Sequence, residues 1–184
     1  MKYVSITILT VLLLIGHTVA AQTTLFDGSN LDSFNQLGDA NWNISGDTVE
    51  ATSGSGHLVT QNSYADFVLS VDFWVDDPAN SGVFIRCQNP EMITPDTCYE
   101  VNIFDQRADQ TYRTGGIVYF AAPAAHAGGQ WNTFEIRAEG SQILVTLNGV
   151  ITVDMDDDTF SDGPLTLQYG SGVVRFRNAQ IQRL

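Results

Sequence analysis

Apolar and polar residues alternate in short runs along most of this chain, and a period of two predicts strands rather than helices. From Asp66 to Val75, Phe67, Leu69, Val71, Phe73 and Val75 fall on one side, with Val68, Ser70, Asp72 and Trp74 on the other. From Trp131 to Ala138, Asn132, Phe134, Ile136 and Ala138 oppose Trp131, Thr133, Glu135 and Arg137. Such segments pack one side in a core and turn the other toward water. Further strands are predicted at Trp42–Ile44, Val49–Ala51, His57–Thr60, Gly82–Cys87, Tyr99–Phe104, Gly116–Phe120, Gln142–Leu147, Val150–Val153, Leu165–Gln168 and Val173–Arg183. Turns are expected at Ser45-Gly46-Asp47 and Glu139-Gly140-Ser141, and Asn148-Gly149 between two alternating runs reads as a hairpin. About a dozen strands without intervening helices predict an all-β, two-sheet antiparallel sandwich in a single domain.

The first residues follow a different logic. Lys2 precedes an apolar run from Ile6 to Ile15, and Thr18-Val19-Ala20 or Val19-Ala20-Ala21 offers small residues for cleavage. This is the pattern of a secretory signal, expected over residues 1–21, with the domain over 22–184. The run is too short to span a bilayer, and no later stretch approaches the roughly 20 apolar residues that a membrane helix needs. The expectation is a secreted or periplasmic protein without membrane insertion. Lys2 is the only lysine, so the mature chain sets seven arginines against 21 acids, 7 − 21 = −14. A field of that sign repels phosphate backbones and argues against nucleic acid as a partner. Lack of lysine removes Schiff-base chemistry. Cys87 and Cys98, in an oxidising compartment, predict a disulfide.

Two predicted strands carry unusual polar residues. Phe84 and Arg86 share a side opposite Val83, Ile85 and Cys87, while Glu100 and Asn102 oppose Tyr99, Val101 and Ile103. If the apolar sets face the core, Arg86, Glu100 and Asn102 meet on the opposite surface. Asp105 has the other parity and joins them only through a bulge. Cys87 has core parity and Cys98 that of Glu100, a mismatch that an irregularity near Pro95 would resolve. An exposed cross-strand ion pair is the plainer reading of this cluster. Asn80-Ser81-Gly82 reads as a binding loop or a simple turn. His57 and His126 stand alone in sequence. Asp154, Asp156, Asp157, Asp158 and Asp162 form an acidic stretch that lacks the spacing of a helix-loop-helix calcium site.

A longer series of motifs gives these residues a context. Leu25-Phe26-Asp27-Gly28 and Leu31, Trp42, Leu58 to Thr60, Tyr64-Ala65-Asp66-Phe67, Asn80-Ser81-Gly82-Val83-Phe84-Ile85-Arg86, Tyr99-Glu100-Val101-Asn102-Ile103 and Asp105 come first. Thr114-Gly115-Gly116-Ile117-Val118-Tyr119, Trp131-Asn132, Leu147-Asn148-Gly149, Leu167-Gln168 and Phe176-Arg177-Asn178 follow in order. The series resembles the 3-keto-disaccharide hydrolase domain family, whose fold is a concanavalin-like jelly roll. Two positions depart from it. Asn102 stands where the family usually has Gln, and Gln168 is followed by Tyr169 and Gly170 where the family often has a His.

The resemblance implies a carbohydrate substrate and cleavage of glycosides already oxidised at C3. A C3 ketone acidifies the C2 proton, so a carboxylate can remove it, the aglycone leaves from C1, and water adds afterwards. Glu100 is then the expected base and Arg86 the enolate stabiliser, with Asp105 or Tyr119 assisting proton transfer or orientation. Asn80, Ser81, Asn102 and Gln168 would bind sugar hydroxyls. No cofactor is evident, although a divalent cation would suit the enolate role. Two other readings remain. Glu100-Val101-Asn102-Ile103-Phe104-Asp105 is a distorted echo of the acidic strand of laminarinase-type retaining glycosidases, which need two carboxyls about 5 Å apart. A non-catalytic, lectin-like carbohydrate-binding domain is the other, with Trp74 available to stack on a sugar.

Overall fold

The computed structural model describes residues 21–121 and 126–184. Nearly all of the expected signal segment lies outside the described residues. The chain runs through β1 (Gln22–Phe26), β2 (Phe34–Gly38), β3 (Asn43–Ser45), β4 (Thr48–Ala51), β5 (Gly56–Tyr64), β6 (Phe67–Val75) and β7 (Asn80–Ile85). It continues with β8 (Tyr99–Ile103), β9 (Trp131–Glu139), β10 (Gln142–Leu147), β11 (Val150–Asp156), β12 (Gly163–Ser171) and β13 (Val174–Arg183). A single 3-10 turn, Gln110–Tyr112, is the sole helical element among the described residues. No helix there is long and apolar enough to cross a membrane.

The strands form two antiparallel sheets. One holds eight strands in the order β11-β10-β9-β6-β13-β4-β3, with β1 added alongside β13. The other holds five, in the order β2-β5-β12-β7-β8. The expected all-β jelly-roll sandwich is what forms. β13 serves two neighbours on one edge: Val174 to Phe176 pair with β4, and Ala179 to Gln182 pair with β1. Asn178 makes the break between them at φ 50°, a left-handed conformation that asparagine tolerates.

The alternation read from the sequence governs both faces of β6 and β9. Phe67, Leu69, Val71, Phe73 and Val75 are buried, as are Phe134, Ile136 and Ala138, and the rings of Phe73 and Phe134 lie 4.7 Å apart. From the five-stranded sheet, Val83, Ile85, Tyr99, Val101 and Ile103 meet them in the same core. Several boundaries differ from expectation. β7 begins at Asn80, so Asn80-Ser81 is strand and not loop; β11 extends to Asp156, so Asp154 and Asp156 belong to a strand. Gly116–Phe120 is not a full strand: Ile117 makes isolated bridges to Val101 and Ala121. β1 and β2 were not expected. Each is short, pairs along one side with a longer strand, and has weak alternation of its own.

The end of β7 holds the largest correction. Arg86 sits at φ 53°, so the chain flips there and its side chain leaves the expected surface. The guanidinium, 1% exposed, donates to the carbonyls of Ala65, Gly140 and Phe160 and to Asp66 Oδ1. It ties together three inter-strand connections at one end of the sandwich. The same flip cures the parity mismatch of the cysteines. Cys87 turns to the side of Phe84, where it forms the disulfide with Cys98, and both pack with Phe84 and Ile93. The irregularity thus lies at Arg86 and not near Pro95.

Candidate functional site

The outer surface of the five-stranded sheet is built row by row from its register. Leu37, His57, Gln168, Gly82 and Asn102 lie in one row across five strands. Asn35, Val59, Thr166, Phe84 and Glu100 form the next. Beyond β8 the segment after Arg113 adds a partial sixth strand. Asn102 N donates to Gly116 O, Gly115 N to Asn102 O, and Val118 N to Glu100 O. Outer-facing residues of an antiparallel sheet usually meet water, yet His57, Thr166, Glu100 and Asn102 are all buried here. The loop between the cysteines packs Ile93 against Phe84 in their midst, and the segment around Tyr112 covers Asn102.

Glu100, on β8, is the buried carboxyl of this surface. Its carboxyl leans over Gly82, where a Cβ would stand 3.3 Å from Glu100 Oε1 and 3.3 Å from the Phe84 ring. Glycine at this position leaves the space that the carboxyl occupies. Burial pushes the Glu100 pKa up to about 7, against a smaller opposing pull from the Arg107 charge. The carboxyl therefore takes and releases a proton near neutrality, as a general base should. Two acceptors flank it: Asn102 Oδ1 and Gln168 Oε1 are buried without a hydrogen-bond partner within the protein. Buried polar atoms are rarely left unpaired, and orphans at a site are places for ligand hydroxyls or water. Asn102 is itself held in place, since its Nδ2 donates to Tyr112 O at 2.5 Å.

His57 belongs to this surface as well, which its isolation in sequence concealed. Its Nδ1 lies 3.0 Å from Thr166 Oγ1, and its ring meets Phe84 edge-on at 5.2 Å. Burial drives its pKa down to about 4, so the imidazole is neutral near pH 7. It is directly opposite Gln168 across the β5–β12 pair. An imidazole thus stands beside Gln168 although none follows it in sequence.

The remaining expected residues disperse. Arg86 is not brought to Glu100, for the backbone reason given above. Asp105 finds no bulge, because β8 ends at Ile103. Its carboxylate instead accepts from Thr114 Oγ1 at 2.5 Å and from the Ala127 and Gly128 amides, both at 2.9 Å. His126 stands 3.9 Å away from it. Asp105 thus fastens the loop that lines β8. Ser81 faces inward, wholly buried, with Oγ donating to Gln168 O at 2.7 Å. Asn80, half-buried, has the parity of the outer surface but lies at its margin opposite Ser171. Tyr119 follows the residue paired with Glu100, is 59% exposed, and meets Tyr112 edge-on at 6.2 Å. Arg107 was missed. It lies in an irregular loop, where no periodicity reveals what a side chain faces.

Among the described residues no three His, Cys, Asp or Glu side chains gather to hold a metal ion. Asp157 of the acidic stretch instead accepts from Tyr99 Oη at 2.5 Å. On the same outer surface a hollow of about 360 Å³ lies beside the disulfide loop, lined by Asn35, Gln61, Ser63, Gln88 and Asp162 among others. It opens over β2 and β5, away from the β7–β8 pair that carries Glu100.

The sequence over residues 21–182 matches the family model described as a 3-keto-alpha-glucoside-1,2-lyase-like domain. No curated protein matches the chain. Among solved structures, a Parabacteroides distasonis ATCC 8503 protein provisionally assigned as a glycosyl hydrolase superposes with a TM-score of 0.79 at 18% identity, over 89% of this chain and 94% of the other. A further structure of a so-assigned protein from that organism gives 0.75 at 24% identity, over 89% and 100% of the two chains. The carbohydrate binding module CBM66 from Bacillus subtilis gives 0.60 at 14% identity, over 90% and 97%. At these identities the likeness is one of fold.

Proposed function

This chain belongs to the 3-keto-alpha-glucoside-1,2-lyase-like domain family, and from that premise we propose that it cleaves 3-keto-glycosides by elimination and hydration. The observation that carries this reading is the buried Glu100 carboxyl, with a pKa near 7, set over Gly82 between two unpaired amide oxygens. Glu100 removes the C2 proton, whose bonding electrons move toward the C3 carbonyl as the enolate forms. Arg107 replaces Arg86 as the cation that favours charge at this site. The C1–oxygen bond then breaks, and the leaving oxygen takes a proton, for which Tyr119 at the rim is the candidate donor. Water added across the resulting double bond restores a saturated sugar, so the net reaction is hydrolysis. Asn102, Gln168 and the neutral His57 are assigned to sugar hydroxyls. In keeping with the leader-like first residues, we place the protein outside the cytoplasm.

The retaining-glycosidase reading finds less support. Asn102 cannot ionise, and the Asp105 carboxylate is engaged by two loop amides and Thr114. Binding without turnover is favoured by one observation, the likeness of the fold to that of a carbohydrate binding module. The deciding experiment incubates the protein lacking residues 1–21 with 3-keto-glucosides and with their unoxidised parents, with and without chelator. Turnover of the oxidised set alone supports elimination. Release of reducing sugar from unoxidised glucan supports the glycosidase, and glycan binding with no turnover of either set supports the lectin-like domain.

A further inference from the structure

The opposite face of the molecule carries a second assembly that the proposed chemistry does not use. On the eight-stranded sheet, Trp131 of β9 lies directly across from Trp74 of β6, Trp74 from Arg175 of β13, and Arg175 from Glu50 of β4. One row over four strands therefore reads Trp131, Trp74, Arg175, Glu50. The Arg175 guanidinium lies 4.4 Å from the Trp74 ring centroid, and that of Arg177 lies 3.9 Å from the Trp131 centroid. Each cation is also tied to a carboxylate, Arg175 to Glu50 at 2.5 Å and Arg177 to Asp72 at 3.2 Å. Beside Trp131 opens a hollow of about 320 Å³, lined by Ser45, Thr48, Glu50, Trp131 and Arg175. Trp131 remains 36% exposed.

A solvent-facing sheet surface needs only polar side chains, and leaving an indole in water forgoes the gain of burying it. Here the indoles are held by stacked guanidinium groups, so they are ordered before any ligand arrives and lose little entropy on binding. The chemistry of the hollow is that of sugar recognition. An indole offers an apolar surface to the C–H groups of a pyranose, while a carboxylate, a guanidinium and two hydroxyls offer acceptors and donors to its alcohols. The charges select among glycans. Glu50 and Asp72 neutralise the two arginines, a third carboxylate, Asp47, stands 3.9 Å from Arg177, and the whole chain is strongly acidic. No positive charge is left over for a polyanion.

We propose that this face is a second carbohydrate-binding surface, which takes an uncharged glycan chain and is separate from the Glu100 surface on the other sheet. The sandwich stands between the two, so both can be occupied together. The test uses the Glu100→Gln protein, titrated with laminarin, mixed-linkage β-glucan and dextran as neutral probes and alginate as the acidic one. Binding is followed by tryptophan fluorescence and by retardation in glycan-containing gels. At least one neutral glucan is expected to bind, alginate is not, and Trp131→Ala should weaken binding at least tenfold. Arg177→Gln, which removes the stack but keeps the indole, should weaken it as well, with thermal unfolding showing that the fold persists. Equal binding by the parent and both variants, no binding of any neutral probe, or preference for alginate would overturn the proposal. Turnover of a small soluble 3-keto-glucoside by Trp131→Ala in the Glu100 background is expected to be unchanged, which separates this surface from the catalytic reading.

Discussion

Glu100 and Arg86 had the same claim on the site from sequence, yet one backbone angle separates them. A guanidinium that caps three carbonyls at the end of the sandwich is a structural group. Arg86→Leu should therefore lower stability by roughly 3–5 kcal/mol, read from denaturant unfolding, because several buried acceptors lose their donor. Arg107→Ala should leave unfolding nearly unchanged while reducing turnover of a 3-keto-glucoside. Glu100→Gln should cut turnover by about 10² to 10⁴, the usual contribution of a general base, with the fold retained. The elevated pKa of Glu100 gives two pH signatures. The base must be ionised, so kcat/KM should rise through about pH 7 and level off above it. Stability runs the other way: the unfolded carboxyl ionises near its model value of 4.5 and the folded one only near 7, so stability is full below the first and declines up to the second. That loss is on the order of 3 kcal/mol at most. Glu100→Gln should thus exceed the parent in stability at pH 8 and match it at pH 4.

At the scale of elements, the site depends on two coverings laid over β7 and β8. The first is the loop closed by Cys87 and Cys98, 11 residues apart in sequence. Replacing both cysteines with serine should cost about 3 kcal/mol on the loop-closure account, checked by thermal unfolding. The same change should expose Phe84 and loosen the edge-on contact that orients His57. The second is the segment from Gly115 to Val118, whose backbone pairs with β8 and whose approach is fixed by Asp105 through Thr114. Strands with one buried face announce themselves by alternation, which is why β6, β9 and β10 were legible to within a residue. β1 and β2 were not, since their existence rests on the edges of β13 and β5 that receive them. The pairing of Ile117 with Val101 was half-legible: the apolar residues are visible, but the chain turns back on itself after one bridge.

For the whole molecule, charge and edges act together. β11 closes one edge of the eight-stranded sheet with Val150 and Ile151 exposed at 66% and 60%, followed by Asp154 and Asp156. Unpaired apolar edges invite association, and acidic residues oppose it. Light scattering should rise as pH approaches the isoelectric point near 4.2, and Val150→Lys should reduce that rise. The sequence alone determined the sandwich, the core faces of its long strands and the family, because burial of one strand face imposes a period that needs no knowledge of neighbours. It also marked Glu100, Asn102 and Gln168, whose polarity breaks the expected pattern in recognisable motifs. Tertiary structure decided that the Arg107 charge acts on Glu100, that His57 stands next to Gln168, and which groups engage the Asp105 carboxylate. Those outcomes rest on a left-handed residue, on strand order and on irregular loops. Proximity across a sheet is set by pairing between strands distant in sequence, and local composition carries no trace of it.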